Sequence, residues 1–167
     1  GVVHVIDRTL MPPSQTIAGI AVEVSQAESP EFTQLVAALS KVPDLLNAAD
    51  SDGDLTVFAP TDAAFESLYT ALEVENIDEL EQKIGNDKLA EVLQHHIVGA
   101  RVFSTDLVSG NVSTLNQEVS IDVSALTIED ANGSNPPASL VTSMLNILAT
   151  NGVIHVIDKV LIPQGII

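Results

Sequence analysis

Every imidazole in this chain falls in one of three short strings: His4 in VVHVID, His95 and His96 in LQHHIV, and His155 in VIHVID. Histidine is the side chain best suited to proton transfer near neutral pH and the commonest metal ligand. Adjacent positions on a helix project about 100° apart, so His95 and His96 are poorly placed to hold one metal ion, unlike histidines four residues apart. His96 falls on the same helical face as Leu89, Val92 and Leu93, and His155 is flanked by Val153, Ile154, Val156 and Ile157. Both therefore read as core histidines, neutral and hydrogen-bonded to a backbone carbonyl or side chain. The functional alternative for the same positions is contact with a partner.

The carboxylates offer a second chemistry. Asp50, Asp52 and Asp54 alternate around Gly53 and raise a calcium reading. An EF-hand loop has Gly at its sixth position and Glu at its twelfth. Here Gly is fourth and the twelfth residue is Thr61, so a solvated acidic turn is expected. Asn111-Val112-Ser113 and Asn132-Gly133-Ser134 have glycosylation spacing and read as chance matches. Cysteine is absent, which removes disulfides and thiolate chemistry. No serine sits in a nucleophile elbow, no glycine-rich loop precedes a helix, and no acid–base pair is evident. The expectation is a protein with no catalytic residues, no cofactor and no metal site.

These residues sit in a chain that changes character midway. Thr16 is placed to cap a helix whose apolar face is Ile17, Ile20, Ala21 and Val24. Ser29 followed by Pro30 reads as the start of a second helix, with Phe32, Leu35, Val36 and Leu39 as its buried stripe. Pro43 opens a third, through Leu45 and Leu46. DSDGD (50–54) is a turn, and LTVFAP (55–60) is a short strand stopped by Pro60. Thr61 or Asp62 then caps a helix with Phe65, Leu68, Tyr69 and Leu72 inward. Ile77, Leu80 and Ile84 mark a helix ending near Gly85, and Asn86 is placed to cap the last one. From residue 97 onward the pattern is short strands: IVGARVF, VSTLN, EVSIDV, LTIED, SLVTSMLNILA and VIHVIDKVLI. Gly110, Asn116, Asn132-Gly133, Pro136-Pro137 and Asn151-Gly152 punctuate them. Helices first and strands later predict an α+β fold.

The chain also repeats itself. Residues 1–12, GVVHVIDRTLMP, match residues 152–163, GVIHVIDKVLIP, at eight of twelve positions. A string returning after a domain-length interval marks tandem copies. Residues 1–13 are thus expected to be the end of one copy, and 14–167 a complete domain. The tail is apolar on both faces, so self-association through residues 1–12 is expected. With 23 acidic and 6 basic residues the net charge is −17, which disfavours nucleic acid and anionic lipid as partners. There is no Trp, one Tyr and four Phe, so aromatic stacking platforms for sugars or bases are scarce. No apolar run is long enough to insert in a membrane.

TVFAPTDAAF (56–65) and NGVIHVIDKVLIP (151–163) resemble the two signatures of the fasciclin (FAS1) domain family, with LQHHIV (93–98) where that family has a Tyr-His pair. The resemblance spans residues 16–163, and GVVHVIDRTLMPP is similar to the second signature of a preceding copy. Its structural motif residues here are Thr56, Phe58, Pro60, Thr61, Phe65, Asn151, Gly152, His155 and Asp158. The resemblance implies a wedge of two β-sheets with helices around it, in a secreted, cell-surface or periplasmic adhesion or matrix module whose partner is a cell-surface or matrix protein. It also implies partner-binding positions at His95, His96 and Ile97, and at Asn146 and Ile147. His95 replaces the family's Tyr, and Asn146 replaces an Asp. The alternative function is an envelope domain that binds a small ligand or polysaccharide.

Overall fold

The computed structural model of the chain describes residues 12–28, 30–130 and 136–166. Thr16 does cap the first helix, α1 (Ile17–Ser25): its hydroxyl accepts from the Gly19 N–H at 3.1 Å. The second, α2 (Thr33–Lys41), begins three residues after Pro30, not at it. Ser29 lies outside the described residues. Phe32 precedes the helix in the left-handed conformation, at φ 65, and has no side-chain cap to offer. That backbone is costly for a bulky residue. It is offset by complete burial of the ring and by a cap supplied from elsewhere. Asp62 accepts from the Thr33 hydroxyl at 2.6 Å and from the Gln34 N–H at 2.9 Å. Glu31 returns the favour by accepting from the Asp62 N–H.

Pro43 opens α3 (Pro43–Asp50), and β1 (Leu55–Pro60) follows the acidic turn. Thr61, not Asp62, caps α4 (Asp62–Leu72), accepting from the Ala64 N–H at 3.2 Å. Helix α5 (Ile77–Ile84) ends at Gly85, whose φ of 90 reverses the chain. Gly85 then stands as the cap of α6 (Asn86–Gln94). The expected cap, Asn86, instead turns its amide to the Lys41 carbonyl and to Glu81. His96 lies just beyond the end of α6, so it is not on that helix.

The strands of the second half are shorter than their apolar runs. They are β2 (Ile97–Val98), β3 (Gly110–Ser113), β4 (Glu118–Asp122), β5 (Thr127–Glu129), β6 (Ala138–Ser139), β7 (Ile147–Ala149) and β8 (Gly152–Ile157). IVGARVF leaves its sheet after Val98. SLVTSMLNILA is broken by a 3-10 turn at Thr142–Met144 and by Asn146, at φ 55. Asn tolerates that region better than most residues, so the break is written in the sequence.

The described strands form two four-stranded sheets, ordered β2-β1-β8-β7 and β3-β4-β5-β6. With the six α-helices among the described residues this is the expected α+β class. The two signature strings are neighbours: β1 and β8 pair in parallel from Leu55↔Gly152 to Pro60↔Ile157. All six residues of β8 are buried. Ile154 and Val156 face the core under the helices, while Ile157 and Phe58 face a second core against the other sheet. Gly152 is required by this packing, because a Cβ there would meet the Leu55 carbonyl oxygen at 2.1 Å.

Candidate functional site

His96 and His155 are spent on structure. His155, fully buried on β8, stacks near Phe58 with ring centroids 5.9 Å apart. Its Nε2–H donates to the Val102 carbonyl at 2.9 Å, and Nδ1 accepts from the Asn146 N–H at 3.4 Å. His96 is used in the opposite sense. Its Nδ1–H donates to the Val92 carbonyl at 2.8 Å, and Nε2 accepts from the Leu161 N–H at 2.9 Å. Each ring needs one bare nitrogen, so each is held neutral in a single tautomer. Burial drives the His96 pKa down to about 3, against a smaller upward pull from the Val92 carbonyl. Burial also lowers His155, with the Val102 carbonyl opposing it.

His95 caps the end of α6 and is fully buried. Its Nδ1 faces the Thr114 hydroxyl at 3.4 Å, and its Nε2 has no hydrogen-bond partner among the described residues. Burial lowers its pKa, partly offset by the negative charge of Asp130. His95, His96 and Ile97 thus all lie in the interior. His4 falls outside the described residues.

The other candidate positions are polar pins. Thr56 donates its hydroxyl to the Ala100 carbonyl at 2.7 Å and accepts from the Val102 N–H at 2.8 Å. Asn146 accepts from the Ser104 N–H at 2.8 Å and donates to the Ser104 hydroxyl at 2.6 Å. Together with His155 these bonds hold residues 99–106 as a strap across the sheet of β1 and β8. Arg101 fastens it further, donating to Asp54 at 2.9 Å and to the Thr150 carbonyl at 3.0 Å. Asn151, nearly fully buried, accepts from the Ile17 N–H and donates to the Ala49 and Ser51 carbonyls. Asp158 accepts from the Ser139 N–H at 2.6 Å, joining the two sheets. Phe58, Pro60 and Phe65 are core.

Among the described residues, exposed large apolar side chains occur between the strap and β3 and on the edge strand β7. Val108 is 71% exposed and Leu148, on β7, is 47% exposed; Ile147 beside it is half-buried. Sequence reasoning missed Leu148, because an apolar residue in a short strand reads as core, and it missed Val108, which lies between the strand runs. It also missed the reciprocal capping by Glu31 and Asp62, since nothing local signals a partner 31 residues away.

The acidic turn is dispersed. Asp50 accepts from the Thr16 hydroxyl and Asp54 from Arg101. No group of three or more His, Cys, Asp or Glu able to hold a metal occurs among the described residues. Asn111 sits in β3 with its amide on Glu118, while the second glycosylation string lies outside the described residues.

The two signature strings, the paired strands they form and the pins around them agree with a sequence model described as the Fasciclin domain, which matches residues 30–163. This chain belongs to the fasciclin domain family. It is 33% identical over 159 residues to Protein sll1483 of Synechocystis sp., covering 95% of this chain and 79% of that protein. It is 34% identical over 166 residues to transforming growth factor-beta-induced protein ig-h3 of Oryctolagus cuniculus, covering 99% of this chain but 22% of that one. Immunogenic protein MPB70 of Mycobacterium bovis is 30% identical over 147 residues, covering 86% of this chain and 69% of its own. The chain therefore spans about a fifth of ig-h3 and most of the cyanobacterial relative. Among solved structures, a FAS1 domain pair from the insect cell adhesion molecule Fasciclin I shares the fold, with a TM-score of 0.52 at 20% identity over 77% of this chain and 45% of that one. No helix among the described residues is long and apolar enough to cross a membrane.

Proposed function

We propose that this fasciclin domain is an extracellular or cell-surface binding module, which associates with cell-surface or matrix proteins through protein–protein contacts and catalyses no reaction. The observation that carries this reading is the disposition of its polar groups. His96, His155, Asn146, Asn151 and Thr56 are consumed by internal hydrogen bonds, while exposed apolar side chains stand on β7 and between the strap and β3. Leu148 with the adjoining Ile147, and Val108, are the side chains assigned to the partner. Burial of one such side chain contributes on the order of 1.5–3 kcal/mol to an interface. The test is cell attachment to surfaces coated with the full chain, against albumin-coated controls. Attachment should exceed the control and fall several-fold for Leu148→Asp with unchanged thermal melting. Attachment no better than albumin, or indifference to Leu148→Asp, overturns the reading.

A second reading, an envelope domain for a small ligand or polysaccharide, is favoured by one feature. A groove of about 200 Å³ runs between α4 and the β5–β6 side, with Ser67, Asp130 and Lys159 among its polar lining. The absence of Trp weighs against sugar binding there. Saturable calorimetric binding of a soluble polysaccharide, lost in Ser67→Trp, would move the assignment to this groove.

A further inference from the structure

We propose that the groove between α4 and the β5–β6 side is a binding site for a single-chain aliphatic carboxylate, its head on Lys159 and its tail on the apolar floor. This names the ligand class for the groove of the second reading and rests on a small-ligand site lying there. It is independent of the adhesion reading.

The groove of about 200 Å³ lies where the two cores meet. Leu68, Val160 and Ile162 in its lining belong to the core under the helices, and Ile128, Ala138 and Leu161 to the core against the second sheet. None of the six is more than 9% exposed. The seam between the cores is thus left open here, with an apolar floor. That floor continues beyond the groove. A smaller gap of about 10 Å³, lined by Leu72, Leu80, Ile84, Val92 and Ile166, shares Leu68 and Ile162 with it. Apolar surface therefore runs on from α4 toward α5 and α6, which suits a linear chain better than a compact ring. No aromatic side chain lines the groove among the described residues, so a sugar has nothing to stack on.

The polar groups of the lining select the head. Among the described residues only Lys41 and Arg101 form ion pairs, with Asp78, Glu81 and Asp54. Lys159 has no carboxylate partner among them, in a chain with 23 acidic residues and 6 basic. Its Nζ donates to the Pro136 and Pro137 carbonyls at 3.4 and 3.3 Å. An ammonium carries three donors, so one is left for a ligand. Asp130, the other charged residue of the lining, turns Oδ2 to the Ile162 N–H at 3.0 Å, which offsets part of its charge. Ser67 donates its hydroxyl to the Ala63 carbonyl at 2.9 Å. A cation without a carboxylate partner beside an apolar floor matches an anionic head on an aliphatic tail. Small-molecule sites are commonly built this way, with a few polar groups orienting a ligand in an apolar cleft. At physiological ionic strength the chain's remote carboxylates are screened beyond about 8 Å.

The probe is sodium decanoate, titrated calorimetrically into the full chain at physiological salt, beside sodium hexanoate. Decanoate should bind at one site, at least roughly tenfold tighter than hexanoate, because four further methylenes are buried. Lys159→Met should weaken it roughly tenfold, the worth of one charge-assisted hydrogen bond, and Lys159→Arg should retain it. Ser67→Trp should abolish binding by filling the groove. Thermal melting by circular dichroism establishes that each variant is folded, and the chain-length comparison decides even where one is not. Absence of saturable decanoate binding overturns the proposal, as do equal affinity for hexanoate, indifference to Lys159→Met and binding that survives Ser67→Trp. A soluble polysaccharide that binds, is lost in Ser67→Trp and has no counterpart in decanoate binding overturns it while leaving the groove as a site. If neither binds, the proposal and the second reading fail together. Cell attachment bears on none of these outcomes.

Discussion

Mild acid should destabilise this domain through its buried histidines. In the unfolded chain each imidazole takes up a proton near pH 6.5. In the folded chain His95, His96 and His155 all have lowered pKa values, chiefly through burial. The unfolded state therefore binds more protons, and stability is full above about pH 6.5 and falls as the pH drops toward the folded values. For His96 the folded value is about 3. At pH 4.5 the unfolded state has then gained about two units, or ~2.7 kcal/mol at 1.36 kcal/mol per unit. A domain of this size loses about 2–4 °C of melting temperature per kcal/mol, so His96 alone predicts a fall of roughly 5–10 °C. The other two histidines act in the same direction. Protonation of His96 would also abolish its acceptance from the Leu161 N–H, leaving a buried donor unpaired. The assay is urea unfolding between pH 7.5 and 4.5, because an ionic denaturant would screen the −17 charge. His96→Gln lowers stability at pH 7.5 but removes one proton from the slope. A stability that is flat between pH 7.5 and 5, or a slope unchanged in His96→Gln, refutes the reasoning.

Three further outcomes follow from named contacts. Asp62→Ala should cost about 1–2 kcal/mol in urea unfolding, since α2 has no cap of its own, and a loss below about 0.3 kcal/mol would mean the Gln34 N–H finds water instead. Gly152→Ala should cost more than about 4 kcal/mol, an exceptional loss for one substitution, because the β1–β8 ladder must open to admit a Cβ; soluble, normally melting protein would contradict the parallel register. Melting temperature should climb between low and physiological salt, equally with sodium and potassium, as repulsion among net −17 charges is screened. A rise confined to millimolar calcium would instead point to the DSDGD turn, and Asp52→Asn would abolish it.

The helical half was legible because its punctuation is local. Thr16, Pro43, Thr61 and Gly85 act within one turn of where they stand, and each ends or begins an element there. The start of α2 was not legible. Its cap comes from Asp62 on another helix, which frees the sequence around Pro30 from having to carry one. The strand half failed for a related reason. Apolar runs such as IVGARVF and SLVTSMLNILA are long because they are buried, not because they pair along their length. Thr56, His155 and Asn146 replace the missing ladder with side-chain bonds to residues 100, 102 and 104. The polar character of the candidate site was visible, but its use was not. A histidine in an apolar string tells of burial; only the contacts tell which nitrogen donates.

The same contacts explain why the most recognisable strings of this fold say least about what it binds. TVFAPTDAAF and NGVIHVID become β1 and β8, the paired central strands, with cores on both faces. Each polar residue they carry does assembly work at a junction. Thr56 and His155 hold the strap, Thr61 starts α4, Asp62 caps α2, Asn151 joins α1 to α3, and Asp158 joins the sheets. Changing any of them perturbs the scaffold before it touches a partner. The large apolar side chains exposed among the described residues, Val108 and Leu148 among them, lie outside those strings. Relatives that share this fold are therefore free to differ in partner, because the positions that build the domain and the positions exposed on it are different residues.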